Sequence, residues 1–111
     1  MTKENKYAKV EGLLYSYKTL PYVIKGLELK YKETGYDSIK EELELNRLIY
    51  DKIDNMIQFL KLHNELDYQI IKLRYIDGLQ WNQIELQLHM GVCQLISRRN
   101  RVIKEHLIAF V

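Results

Sequence analysis

Apolar residues recur at helical spacing along almost the whole chain. Val10, Leu13, Tyr17, Leu20, Ile24, Leu27 and Tyr31 step alternately by three and four, the a/d seam of a helix that packs lengthwise on another. A second seam runs through Asn46, Ile49, Ile53, Met56, Leu60 and His63. Between them Thr34, Gly35, Tyr36, Asp37 and Ser38 predict a turn. Asp37 or Ser38 would cap the next helix, with Glu41 and Glu42 favoured in its first turn by the dipole. Three shorter stripes follow from Leu66. Residues 67–75 place Ile70, Ile71 and Leu73 on one face, and Gly78 ends that helix where a left-handed residue is cheapest. Trp81, Ile84 and Leu88 mark a short second helix. After a break at Met90 and Gly91, Val92, Leu95, Ile96, Arg99, Val102, Ile103 and His106 face one way on a third. Nothing alternates with period two for long enough to propose a sheet. The pattern predicts an all-α protein. Residues 1–64 form a helical hairpin or coiled-coil-like packing and oligomerisation half. Residues 65–111 form a three-helix domain ending in a helix-turn-helix.

Local detail refines the first half. Residues 1–6 are polar and expected to fray. Pro21 inside the first seam removes a hydrogen bond and clashes with the carbonyl of Tyr17, at a cost of ~3 kcal/mol. Either the helix kinks, or a new one begins with Thr19 or Leu20 as cap and Pro21 in its first turn. The unbroken register favours a kinked or closely stacked pair. Asn46 either fixes the register of its seam or marks its end. Leu14, Ile39, Leu43, Leu48, Tyr50, Ile57, Phe59 and Leu62 lie outside both strict seams. They are more than one antiparallel hairpin can bury, which points to the C-terminal domain, a second copy of the chain or another protein as cover. A homo-oligomer is the expectation. Seven of the nine tyrosines fall in this half. Several sit at seam positions, with the ring packed and the hydroxyl at the rim.

Composition narrows the class. Hydrophobic residues make up 47% and charged ones 29%, which is ordinary for a folded domain. One proline and five glycines suit long helices with few loops. The net charge of +2 is too small to demand nucleic acid. Before Leu66, eleven basic residues meet eleven acids, so the excess lies after it. The single Cys93 permits no internal disulfide and suits a reducing cytoplasm. It falls near the polar edge of the third helix and is read as a small packing residue. No apolar run resembles a signal peptide or reaches membrane-spanning length.

The chemistry concentrates on the third helix. From Gln94 to Lys104 the charges are Arg98, Arg99, Arg101 and Lys104, with no acid among them. Gln94, Ser97, Arg101 and Lys104 lie opposite Leu95 and Ile103, with Arg98 at the edge. Such a face suits a major groove, since lysine and arginine neutralise phosphate, and arginine and glutamine also read base edges. Gln94, Ser97, Arg98 and Arg101 are the candidate groove contacts, and Lys104 a backbone contact. Gln80, Asn82 and Gln83 open the second helix, where amide donors and backbone N–H groups can hold a phosphate. Arg99 falls within the apolar stripe and should snorkel or pair with Glu85 or Asp77. Leu73, Ile84, Leu88, Leu95 and Val102 would form the small core, with Trp81 its largest apolar anchor.

Leu73-Arg74-Tyr75, Gly78-Leu79, Trp81, Ile84, Leu88 and Leu95, followed by an arginine-rich helix, resemble the promoter-reading C-terminal domain of sigma factors. They are similar also to the small phage late-transcription regulators of the RinA and ArpU type. The resemblance covers about the last 45 residues. Glu85, His89, Gly91, Ser97 and Arg98 depart from that pattern: His89 stands at the usual glycine of the turn and Gly91 at the usual Ser or Thr cap. The resemblance implies a phage or prophage late-gene activator that binds double-stranded DNA and works with host RNA polymerase in the host cytoplasm. Two other functions fit the same residues: a module docking on polymerase or a phage protein without reading DNA, and DNA recognition for packaging. No enzyme, cofactor or metal is expected. His63, His89 and His106 have no second ligand three or four residues away, no cysteine pair exists, and no glycine-rich phosphate loop occurs. Asp51 and Asp54, near Lys52 and Lys61, read as solvated charge.

Overall fold

The computed structural model describes residues 2–111. The chain is all-α: among the described residues there are six α-helices, a π-helical turn and a closing 3-10 turn, with no strand. Helix α1 (Lys3–Ser16) begins where Thr2 turns extended and its Oγ1 accepts the Asn5 N–H at 3.2 Å. That cap holds residues 3–6 in the helix, against the expected fraying; Met1 lies outside the described residues.

The seam from Val10 to Tyr31 is not carried by one helix. After Ser16 the chain turns through residues 17–19, and α2 (Leu20–Thr34) starts afresh with Thr19 as N-cap and Pro21 in its first turn. There the missing proline N–H costs nothing. Thr19 Oγ1 instead donates back to the Ser16 carbonyl at 3.1 Å. Because of the break, α1 and α2 face different partners. Helix α2 packs along α3 (Asp37–His63), whereas α1 packs against the C-terminal helices as well.

Gly35, at φ 65°, ends α2. Helix α3 then starts one residue earlier than expected, with Tyr36 at the cap and Asp37 already helical. Its first turns bury Ile39 and Leu43. Its second half supplies Ile53, Met56, Ile57 and Leu60 to the main core. These meet Val10 and Leu14 of α1 and Ile71, Tyr75, Val102, Ile103 and Leu107 from beyond residue 64. Thus Leu14, Ile39, Leu43 and Ile57 are covered within the chain, while Leu48 and Leu62 stay 64% and 91% exposed. Asn46 is satisfied by its own helix, with Nδ2 donating to the Glu42 carbonyl at 2.8 Å.

Tyrosines stitch these layers. Tyr17 and Tyr50 stack at 5.1 Å, and the Tyr17 hydroxyl donates to Asp54 Oδ1 at 2.8 Å. Asp54 is therefore an acceptor in the packing as well as a surface charge. Tyr75 donates to Glu11 Oε2 at 2.6 Å, joining the π-helical turn to α1. Burial first, then these hydrogen bonds, hold both hydroxyls well above the ordinary tyrosine value of 10.0. The folded state thus keeps protons that the unfolded chain releases near pH 10, so their contribution is complete below that pH and is lost as pH rises further. The urea midpoint should be level up to about pH 9 and fall above about pH 10. Tyr17→Phe or Tyr75→Phe should make the fall shallower.

Candidate nucleic-acid interface

Helix α4 (Glu65–Ile71) is capped by Asn64, whose Oδ1 accepts the Asp67 N–H at 3.1 Å. It runs on into the π-helical turn Lys72–Ile76, closed by Asp77 N–H donating to the Lys72 carbonyl at 2.9 Å. Gly78 takes φ 72°, and the Leu79 N–H returns to the Leu73 carbonyl at 3.0 Å. This closure places Leu79 against the small cluster of Ile70, Leu73, Ile84 and Leu95.

Three residues, 89–91, join α5 (Trp81–Leu88) to α6 (Val92–Glu105). His89 adopts φ 57°, which histidine tolerates better than most residues, and its N–H donates to the Glu85 carbonyl at 2.8 Å. Gly91 caps α6 but has no side chain to offer. Glu85 takes that role from the preceding helix: its Oε2 accepts the Val92 N–H at 3.1 Å. One carboxylate thereby ties both helices and meets the positive end of α6. Glu85→Ala should cost about 1 kcal/mol in chemical denaturation, with Glu85→Gln costing less because it keeps an acceptor.

Two sequence expectations are corrected here. Arg99 pairs with neither Glu85 nor Asp77, because Asp77 binds Lys72 at 2.9 Å and Glu85 caps α6. Arg99 turns inward toward α1 and the π-helical turn. Its Nη1 donates to the Tyr75 hydroxyl at 3.0 Å and lies 3.5 Å from Glu11 Oε2. Its Nε donates to Asn100 Oδ1 at 2.8 Å, which also accepts the Tyr7 hydroxyl. Val102 belongs to the main core rather than to the small cluster, because α1 covers that end of α6. Trp81 is half-buried, with the Arg74 and Arg99 guanidinium groups 4.9 and 5.2 Å from its ring centroid.

The outer face of α6 brings most of the candidate residues together. Gln94, Ser97, Arg98 and Arg101 line a shallow depression of about 450 Å³ with Met90 and Cys93. Gln94, Ser97, Arg101 and Lys104 are exposed. Lys104 lies further along the helix, beside a cleft with Glu4, Tyr7 and Asn100. Cys93 lies at the polar edge of α6 as expected but is exposed, which is at odds with a packing role. Gln80, Asn82 and Gln83 are exposed at the start of α5, outside the depression. Gln83 Oε1 accepts the Gln80 N–H at 2.8 Å and Asn82 Oδ1 the Gln83 N–H at 3.0 Å, which leaves their amide NH₂ groups as donors.

Of the four cations on α6, Arg99 is used internally and Arg98 partly so. Arg98 Nε donates to Asp67 Oδ1 at 2.7 Å. Asp67 is a buried acid that the sequence reading passed over. Its signal was present: it precedes Ile70 and Ile71 by three and four residues, so it sits on the apolar stripe, where a charge demands a partner. The fold also brings His63 and His106 to a ring separation of 4.6 Å, a juxtaposition no local spacing could reveal. Among the described residues no group of three or more His, Cys, Asp or Glu is placed to hold a metal ion, and no helix is long and apolar enough to cross a membrane. Comparisons with protein families, with curated proteins and with solved structures give no match.

Proposed function

We propose that the chain binds duplex DNA sequence-specifically through α6 and acts as a regulator of transcription, with α5, the turn and α6 as its helix-turn-helix. The observation that supports this best is the exposed face of α6. Gln94, Ser97 and Arg101 stand outward opposite the fully buried Leu95 and Ile103, and no acid interrupts residues 94–104. A helix fits the major groove, arginine and glutamine can read base edges there, and Lys104 adds a phosphate contact. The amides at the start of α5 would hold the adjoining backbone. By resemblance the regulator is a phage or prophage late-gene activator that contacts host RNA polymerase in the cytoplasm.

Arg101→Ala tests this by binding titration at several salt concentrations. A base-reading Arg101 predicts a loss of about 1–3 kcal/mol with relaxed sequence preference. Lys104→Ala should instead weaken all sequences alike and reduce the salt slope by about one. Unchanged binding by both variants would contradict the placement of DNA on this face. A homo-oligomer is part of the proposal, with Leu45 and Leu48, 56% and 64% exposed on α3, as residues a second copy would cover. A monomeric mass in sedimentation at micromolar concentration would remove it. One observation favours the docking-module alternative. Leu86 on α5 is 76% exposed; if that alternative holds, the wild type binds no duplex DNA and Leu86→Ala weakens polymerase capture.

A further inference from the structure

We infer that Asp67 and Arg98 form a single base-reading unit, in which a buried carboxylate on α4 aims the arginine of α6 at a guanine. This rests on the DNA-binding function proposed above. Asp67 has a side chain only 5% exposed, and its partner Arg98 is 26% exposed. Burying a carboxylate is costly unless it is paired and hydrogen-bonded. Here the compensation comes from an α6 cation that also lines the outward depression, beside Gln94, Ser97 and Arg101.

The geometry of the contact matters more than its existence. The carboxylate engages Nε at 2.7 Å. Among the described residues no acceptor meets either Nη nitrogen, and neither is buried without a partner. A guanidinium carries five N–H donors in a planar fork. With Nε occupied, the terminal edge remains, and its two parallel N–H groups match O6 and N7 of guanine in the major groove. The ion pair also immobilises the side chain before DNA arrives, so less rotamer freedom is lost on binding. Asp67 is thus a positioning residue, and Arg98 the residue that sets the preference for guanine.

Selection from a random duplex library, with wild type, Asp67→Ala, Asp67→Asn and Arg98→Lys, tests the inference. The wild-type motif should contain a guanine preferred by roughly 5- to 150-fold, the range expected of one bidentate pair. At that position alone the preference should collapse in Asp67→Ala and in Arg98→Lys, while the rest of the motif is kept. Asp67→Asn, which can still accept from Nε, should retain part of it. Replacing that guanine with 7-deazaguanine, which lacks N7, should weaken wild type and leave Asp67→Ala unaffected. A purely structural ion pair would lower the melting temperature without changing the motif. If Asp67→Ala fails to fold, Asp67→Asn decides, by a weakened guanine preference at that position alone. A guanine preference that survives in folded Asp67→Ala or in Arg98→Lys overturns this inference alone. Absence of any duplex binding by wild type overturns it together with the proposed function.

Discussion

Trp81→Ala lowers the unfolding free energy by about 3–5 kcal/mol, the expected range for deleting a large packed aromatic. Trp81 opens α5 and lies against the cluster of Ile70, Leu73, Ile84 and Leu95. Its loss also strips the Arg74 and Arg99 guanidinium groups of the ring beneath them. Arg74 has little else to hold it: Nη1 donates to the Leu79 carbonyl at 3.1 Å, but its buried Nε has no partner. Since total stability is only about 5–15 kcal/mol for a domain, the loss removes a large share of it. Urea denaturation followed by circular dichroism measures the effect. A Trp81→Ala protein that is soluble and as stable as wild type, and fails only in binding, would place Trp81 at the interface instead.

Leu14→Ala should cost about 2–5 kcal/mol, and its effect should reach the far end of the chain. Leu14 is fully buried in the core that α1 shares with α3, the π-helical turn and α6. The cavity would open behind Tyr75, Val102 and Ile103, and so behind the helix proposed to enter the groove. Tyr7, Glu11, Tyr75, Arg99 and Asn100 link the same elements by hydrogen bonds, so loss of packing there exposes polar groups matched to one another. Trp81 fluorescence reports on the C-terminal helices and far-ultraviolet circular dichroism on the whole chain. Both should shift to lower urea together in Leu14→Ala. A fluorescence transition that stays in place while the circular dichroism transition moves would show that residues 65–111 stand without α1.

The helical period made the all-α architecture legible, together with the breaks at Gly78 and at residues 89–91. Leu95, Ile103 and the polar residues opposite them were legible too, because burial on a single helix follows its own periodicity. What a helix packs against is a different matter. The three-four spacing continues through residues 17–19 although the helix does not, so Val10 and Ile24 look like one seam and serve two partners. That choice depends on where the chain turns, and Thr19 and Pro21 encode the turn only weakly. Arg99 shows the same limit. Its place on the inner face could be read from spacing, but its partners Tyr75 and Glu11 come from segments 24 and 88 residues away. Glu85 was legible as a departure from the familiar pattern and became a helix cap only once the turn brought Val92 beside it. Asp67 carried a signal of its own, an acid on an apolar stripe, whose answer lay 31 residues on at Arg98.

Selection of the purified protein against a random duplex DNA library, at a low and a raised salt concentration, is the measurement to make first. Phosphate contacts alone lose affinity steeply with salt and enrich nothing, whereas base contacts impose a sequence. The α6 face described above predicts an enriched motif that survives the higher salt, with two-fold symmetry if two copies bind together. Binding without enrichment, or no binding at either salt, would contradict it.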